Sequence, residues 1–98
     1  MTWTVEYSRR VHRQIQALSA ARREDCLALL KEIEAMGPVR AGWPHYGKLA
    51  NAKDCHHCHL NKGRPTYVVV WQVKDKIVRL VEVNYVGTHE NADYGRLC

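Results

Sequence analysis

The strongest hydrophobic pattern in the chain lies between Thr66 and Tyr94. Two runs rich in β-branched and aromatic residues, 67–73 and 77–86, flank the charged segment Lys74-Asp75-Lys76. Such a pair of runs around a polar turn is typical of an antiparallel hairpin. We therefore predict that these two strands form the centre of a sheet, and that the second strand ends at Gly87.

The second run of this hairpin also predicts which side chains share a face, because residues alternate between the two faces of a strand. Both sets of side chains are mostly apolar, so we expect both faces to be at least partly covered. One set is Val78, Leu80, Glu82, Asn84 and Val86, and the other is Ile77, Arg79, Val81, Val83 and Tyr85.

A short strand and two helices are predicted before the sheet. Apolar and polar residues alternate over positions 3 to 7, which indicates a half-buried strand. Ser8 and Ser19 are typical helix N-caps, and Gly37 followed by proline ends the second helix near position 36. The pattern predicts an α+β fold in which a helical hairpin covers one face of a small, mainly antiparallel sheet and leaves the other face open. The apolar stripes are Val11, Ile15 and Leu18 on the first helix and Cys26, Leu29, Leu30, Ile33 and Met36 on the second.

The segment from Val39 to Asn51 lacks a clear periodicity. Its glycines and proline predict a loop, followed by a short strand at 47–50. His45 and Lys48 in this segment are candidates for contact with a ligand. The alternative, that the segment only closes the sheet edge with its two aromatic residues, is left open.

The segment Asp54 to Leu60 has the most unusual composition in the chain, DCHHCHL. Its Cys-x-x-Cys spacing with neighbouring histidines is compatible with zinc, which binds cysteine sulfur and histidine nitrogen. In a strand, however, the two cysteines would point to opposite faces, and no glycine or proline supplies a tight turn. We therefore predict a strand and no metal site. One face would carry Cys55, His57 and His59, and the other His56, Cys58 and Leu60.

Length and charge narrow the class of protein. The chain has 98 residues, enough for a single domain over positions 1–98 with its own core. Its net charge of +5 favours polyanionic partners such as nucleic acid or an acidic protein segment.

No apolar window is long enough for a membrane helix or a signal peptide, so we expect a cytoplasmic protein. In such a reducing compartment the four cysteines are expected to be free thiols, with Cys98 frayed.

Several titratable residues are expected to converge on the open face of the sheet. Imidazole can act as acid or base near neutral pH, and fixed cations can stabilise the charge that develops on a phosphorane. The combination therefore predicts a site for phosphodiester chemistry. Its members are His57 and His59 on one strand, Lys62 and Arg64 in the following turn, and His89 and Tyr94 beyond the last strand.

The order of elements, with Cys58-His59-Leu60 in the third strand and Gly87-Thr88-His89 followed by Tyr94, resembles the RelE/ParE superfamily of bacterial toxins. The histidines are similar to the histidine-rich RelE branch typified by YafQ. The resemblance implies the toxin of a type II toxin–antitoxin module, an endoribonuclease that cleaves messenger RNA in the A site of the 70S ribosome and inhibits translation. The ribose 2'-hydroxyl would attack the adjacent phosphate, with no metal and no small-molecule cofactor.

The resemblance also implies roles for individual residues. His59 falls where family members place a basic or histidine catalytic residue, His89 where they carry histidine or arginine, and Tyr94 where they carry a stacking aromatic. Arg64 matches the charge-stabilising arginine, although the turn differs in length. His89 is expected to be the acid. The residues expected to bind RNA are His45, Lys48, His57 and Lys62.

Two other functions remain open at this point. One is a ParE-like inhibitor of DNA gyrase, and the other is an inactive relative that binds only RNA or a peptide. If the chain is a toxin, whether an endoribonuclease or a gyrase inhibitor, this basic protein is expected to bind a cognate antitoxin that is acidic and partly disordered.

Overall fold

A computed structural model describes residues 2–50 and 53–98. The predicted loop that ends at Asn51 therefore extends outside the described residues. The helices are α1 (Arg9–Gln16), α2 (Ala20–Met36) and α3 (Tyr94–Leu97), with a 3₁₀ turn at His89–Asn91; the strands are β1 (Thr4–Tyr7), β2 (Gly47–Lys48), β3 (Cys55–His59), β4 (Tyr67–Asp75) and β5 (Leu80–Thr88).

The five strands form one sheet in the order β1-β5-β4-β3-β2. The predicted hairpin is confirmed: β4 and β5 pair antiparallel at the centre of this order. β3 and β2 extend the sheet antiparallel on one side, and β1 pairs parallel with β5 on the other. The sheet is therefore mixed, with β1 as a parallel strand at one edge.

The helical hairpin begins and ends where the sequence predicts. The Ser8 and Ser19 hydroxyls accept hydrogen bonds from the backbone N–H groups of Val11 and Arg22, which stabilises the first turns of α1 and α2. Gly37 ends α2 with φ of 98°, a left-handed conformation that favours glycine, and the Trp3 indole lies directly against it.

The main core lies between the helical hairpin and one face of the sheet, which we call the helix face. Trp71 of β4 is fully buried at its centre, and its indole N–H donates to the Pro38 carbonyl oxygen at 3.0 Å. The predicted stripes of both helices are buried here, with one exception. Met36 was expected in the core but is 62% exposed, because it lies in the last turn of α2.

The position of the hairpin turn was predicted incorrectly. β4 continues to Asp75 and β5 begins only at Leu80, so the turn lies at 76–79 rather than at 74–76. Ile77 and Val78 are consequently exposed, at 93% and 66%, although both are apolar. The Asp75 carboxylate accepts hydrogen bonds from the backbone N–H groups of both residues and stabilises the turn.

A β-bulge in β5 changes which residues share a face. Val70 of β4 pairs with Tyr85, while the next residue, Trp71, pairs with Val83. Asn84 is therefore an extra residue, and the alternation shifts by one position after it. As a result Val86 joins the helix-face core, and Tyr85 lies on the opposite face. The sequence-based assignment of these two residues was wrong, since it assumed unbroken alternation.

The opposite face, which we call the open face, carries neither α1 nor α2, and the predicted α+β class is confirmed. Part of this face is covered by residues 92–98, which we call the C-terminal segment. Its side chains pack on a small cluster of β-strand residues formed by Cys55, Val68, Val70 and Tyr85. Among the described residues, no helix is both long and apolar enough to cross a membrane.

Candidate active site on the open face

Strand β3 presents two histidines to the open face. His57 and His59 are half-buried and alternate with His56 and Cys58, which point into the helix-face core. This is the arrangement that the alternation in the sequence predicts. β3 holds its register through pairing with β4, where His59 lies opposite Val68.

Four histidines and one tyrosine come together at this place, and we call them the histidine cluster. The His45 and His59 rings are stacked, with centroids 4.3 Å apart, and His89 meets His59 edge-on at 5.4 Å. Tyr94 lies 5.4 Å from His57 and 6.4 Å from His89, again between ring centroids. The five side chains come from three separate parts of the chain.

Backbone hydrogen bonds fix the two histidines that do not belong to β3. The His59 N–H donates to the Pro44 carbonyl oxygen at 2.7 Å, which ties the loop carrying His45 to the end of β3. His45 itself has φ of 53°, a left-handed conformation that is uncommon for a side chain other than glycine. The His89 N–H donates to the Thr66 carbonyl oxygen at 2.8 Å, which fixes the segment that follows β5.

Burial and mutual repulsion keep the two β3 histidines neutral. Burial lowers the pKa of His57, and the neighbouring His45 and His89 lower it further. The pKa of His59 is lowered by burial and then by the same two neighbours together with His57. A neutral imidazole has one nitrogen free to accept a proton, so both residues are suited to act as a general base near neutral pH.

Tyr94 differs from the histidines because its hydroxyl stays protonated. Burial raises its pKa, with smaller contributions from Tyr85 and Cys58. The ring can therefore stack on a base or donate a hydrogen bond, but it does not supply a negative charge. Next to it, Nδ1 of His57 is buried without a hydrogen-bond partner among the described residues.

The predicted cations do not join the cluster in the part of the chain that the structure describes. Lys62 and Arg64 are exposed in the turn between β3 and β4, and no hydrogen bond or ion pair holds either side chain there. Lys48 pairs with His56 across β2 and β3, so it lies on the helix face, where its ammonium group is 3.6 Å from the Asp54 carboxylate. Lys48 therefore lies on the face opposite His57, because one position along a strand reverses the face, and its expected contact with RNA stays a prediction.

His56 is on the same strand but is part of the core. It is 2% exposed, stacks on Trp71, and its Nδ1 lies 2.7 Å from the Tyr46 hydroxyl oxygen. Cys55 and Cys58 lie on opposite faces, as predicted, so they cannot share a metal ion. Within residues 2–50 and 53–98, no group of three His, Cys, Asp or Glu side chains is arranged to hold a metal.

Sequence reasoning missed the contacts that hold Tyr94 in place. The Asn84 side-chain amide donates to the Leu97 carbonyl oxygen at 2.6 Å, and the sulfur atoms of Cys55 and Cys98 form a disulfide. Cys98 is therefore docked rather than frayed, and two of the four cysteines are paired rather than free. The only signal of this contact in the sequence is a polar residue, Asn84, within an apolar strand.

Fold and site together define a small α+β protein whose five-stranded sheet carries a histidine cluster on the face opposite its helices. No protein-family model and no curated protein matches the sequence. Solved structures do match it, among them RelE toxins and a YoeB dimer. The chain therefore has the fold of the RelE superfamily, as predicted; the YafQ-like branch stays a prediction.

Three of these similar structures illustrate the extent of the match. The E. coli toxin RelE, as a mutant in complex with a peptide of its antitoxin, has a TM-score of 0.70 and 24% identity over 97% of this chain and 88% of that chain. RelE of the archaeal RelE–RelB complex from Pyrococcus horikoshii has a TM-score of 0.70 and 19% identity, with 94% and 100% covered. A YoeB dimer from Staphylococcus aureus has a TM-score of 0.68 and 17% identity, with 91% and 99% covered.

Proposed function

We propose that this chain is the toxin of a type II toxin–antitoxin module and that it cleaves messenger RNA in the ribosomal A site. One observation carries the proposal: His45, His57, His59, His89 and Tyr94 meet on one sheet face of a fold shared with RelE toxins. Three separate segments of the chain contribute side chains to this cluster. The fold itself does not depend on any of its imidazoles.

The reaction is an attack of the ribose 2'-hydroxyl on the adjacent phosphorus. His59, which is neutral because its pKa is lowered, accepts the proton of the 2'-hydroxyl. The 2'-oxygen forms a bond to phosphorus while the bond to the 5'-oxygen breaks, and His89 donates a proton to that leaving oxygen. The products are a 2',3'-cyclic phosphate and a free 5'-hydroxyl. Proton transfer by one positioned side chain contributes about 10² to 10⁴ in rate.

The roles expected for Arg64 and Lys62 in stabilising charge on the phosphorane stay predictions. Arg64 and Lys62 are exposed and unattached, so they can swing toward bound RNA, but they are not preorganised. Tyr94 can stack on a base and donate its hydroxyl hydrogen. A site whose cations are not preorganised reacts faster when a partner orients the RNA, and the ribosome would be this partner.

The proposed partner is an antitoxin with an acidic segment. The net charge of +5 favours such a partner electrostatically. The E. coli and Pyrococcus horikoshii structures named above contain RelE with an antitoxin peptide or with RelB. A cognate antitoxin should co-purify with this chain and should suppress its toxicity.

The test is induced expression in a bacterial host of the wild type, His89→Ala and His12→Ala. His12 is an exposed histidine on α1, so His12→Ala is a matched control outside the cluster. We expect growth arrest with new 5' ends inside translated codons for the wild type and the control, and neither effect for His89→Ala. Arrest without cleavage would instead favour gyrase inhibition, and absence of both effects would favour an inactive binding protein.

A further inference from the structure

Two cysteines that the proposed reaction does not use meet on the open face. Cys55 begins β3 and Cys98 ends the C-terminal segment, 43 positions later, yet their Cα atoms are 6.4 Å apart and their sulfurs are joined. This separation lies within the usual range for disulfides, about 4.4 to 6.8 Å. The pair therefore connects the strand that carries His57 and His59 to the segment that carries Tyr94.

The C-terminal segment has few other contacts that could hold it. α3 has only four residues, and an isolated helix of this length is not stable in water. The Asn84 side-chain amide holds the segment by polar contacts. It donates hydrogen bonds to the Leu97 carbonyl oxygen at 2.6 Å and to the Cys98 sulfur at 3.6 Å. The remaining contacts are apolar packing of the segment on Cys55, Val68, Val70 and Tyr85.

We propose that Cys55 and Cys98 form a reversible redox modification site, which fixes the C-terminal segment, and with it Tyr94, against the histidine cluster. The co-reactant is a low-molecular-weight disulfide such as oxidised glutathione. Oxidation docks the segment firmly, and reduction lets it detach. Only the consequence for RNA cleavage rests on the proposed function; the modification and the docking do not.

The chemistry is thiol–disulfide exchange. In the reduced form the C-terminal segment is detached, so the Cys98 thiolate at its end attacks first. It forms a bond to one glutathione sulfur and releases the other glutathione as a thiolate. The Cys55 thiolate then attacks the Cys98 sulfur and releases the second glutathione. The two protons lost by the cysteines are taken up by the two glutathione thiolates, so one disulfide is reduced while another forms.

The other two cysteines do not compete in this exchange. Cys26 and Cys58 are buried in the helix-face core, and burial raises the pKa of each thiol to about 12. Because the thiolate is the attacking form, these two residues remain thiols under conditions in which Cys98 reacts.

The experiment equilibrates the purified full chain with mixtures of reduced and oxidised glutathione and measures two quantities. Mass spectrometry of peptides identifies the linked cysteines, and hydrogen exchange reports the docking of residues 94–97. The variants are Cys98→Ser, which cannot form the link, and Cys26→Ala, which removes a thiol of α2 that is buried in the helix-face core. For the wild type and Cys26→Ala we expect a Cys55–Cys98 link and, once it forms, exchange slowed by about tenfold or more. Cys98→Ser should exchange rapidly in every mixture.

Two results would overturn the proposal: no intramolecular link between Cys55 and Cys98, or a link that leaves exchange of residues 94–97 unchanged. A third measurement, RNA cleavage on ribosomes, separates this inference from the proposed function. Several-fold faster cleavage by the oxidised form supports the consequence for the site, and equal cleavage by both forms overturns that consequence. Slowed exchange without cleavage in either form overturns the proposed function while the redox site stands.

Discussion

His56 and His59 lie on the same five-residue strand but on opposite faces of the sheet, and their surroundings differ in kind. His56 is enclosed by Trp71 and Tyr46, and the tyrosine hydroxyl satisfies its Nδ1. His59 is half-buried, and its ring neighbours are two other histidines. Burial lowers the pKa of both, so the pKa direction alone does not distinguish them.

The comparison shows that the neighbours of a histidine indicate its role better than its burial does. A core histidine with a hydrogen-bond partner and an aromatic stack contributes to stability. A histidine surrounded by other imidazoles gains no comparable stabilisation, since the neighbours repel one another when protonated. Such an arrangement is typical of a functional site. Substitutions of residues on the two faces test this division of roles.

His59→Ala should abolish most of the cleavage and leave the fold intact. We expect a loss of about 10² to 10⁴ in the single-turnover rate on ribosome-bound messenger RNA, because the general base is removed. The free energy of unfolding, measured by urea denaturation, should change by less than about 1 kcal/mol for this half-buried site. A rate within a few-fold of the wild type would show that His59 is not the base.

His56→Ala should have the reverse effect. Removing this buried ring leaves a cavity beside Trp71 and an unpaired Tyr46 hydroxyl, so we expect the free energy of unfolding to fall by about 2 to 4 kcal/mol. Urea denaturation provides the measurement. Tyr46→Phe, which keeps the ring and removes only the hydrogen bond, should cost about 1 kcal/mol. If His56→Ala is as stable as the wild type, then the claim that His56 contributes to stability while His59 serves the site is wrong.

Stability should fall as the pH is lowered through the range in which the histidines titrate. The folded-state pKa values of His56, His57 and His59 are lowered, mainly by burial. The unfolded chain, with histidine pKa values near 6.5, therefore binds protons first as the pH falls. The stabilisation is fully present above about pH 6.5 and is lost below it, as the pH falls toward the lowered values.

Urea midpoints between pH 5 and pH 7.5 would measure this dependence. His59→Gln should flatten the curve, because it removes one of the histidines whose pKa is lowered in the folded state. Equal slopes for the wild type and His59→Gln would mean that His59 has the same pKa in both states.

The smallest expected effect separates two lysines. Lys62→Ala should weaken RNA binding modestly, because an exposed lysine beside the site can contact one phosphate. The slope of the logarithm of the binding constant against the logarithm of the salt concentration should fall in magnitude by about one. Lys48→Ala should leave RNA binding within about twofold, since Lys48 lies on the helix face and its partner Asp54 forms only a weak surface ion pair. Binding titrations at several salt concentrations would show the difference, and equal effects of both substitutions would contradict the assignment of faces.

Local patterns predicted the fold well because they depend on neighbouring residues. The alternation in β3 placed His57 and His59 on one face and Cys58 on the other, and the serine caps set the starts of both helices. The convergence of His89 and Tyr94 with the two β3 histidines was also predicted, because both follow the end of the last strand, whereas His45 was only a candidate for contact with a ligand.

The errors arise where a specific contact, local or long-range, overrides the hydrophobic pattern. Ile77 and Val78 have apolar side chains typical of a strand, yet the Asp75 carboxylate holds them in an exposed turn. The bulge at Asn84 has no sequence signal, because it depends on the register against β4. The link between Cys55 and Cys98 joins the two ends of a 43-residue separation, which no local pattern could indicate.

The bulge in β5 also has a consequence for insertions and deletions. Asn84 is the one residue of Val83, Asn84 and Tyr85 without a partner in β4, so losing its codon would leave Val83 and Tyr85 opposite their present partners. Loss of Val83 or Tyr85 would instead move Asn84 into the vacated position, opposite Trp71 or Val70. The same deletion would remove the amide that holds the Leu97 carbonyl oxygen. We therefore expect this deletion to preserve the pairing of β4 with β5, while the C-terminal segment stays attached through the Cys55–Cys98 link and its apolar packing.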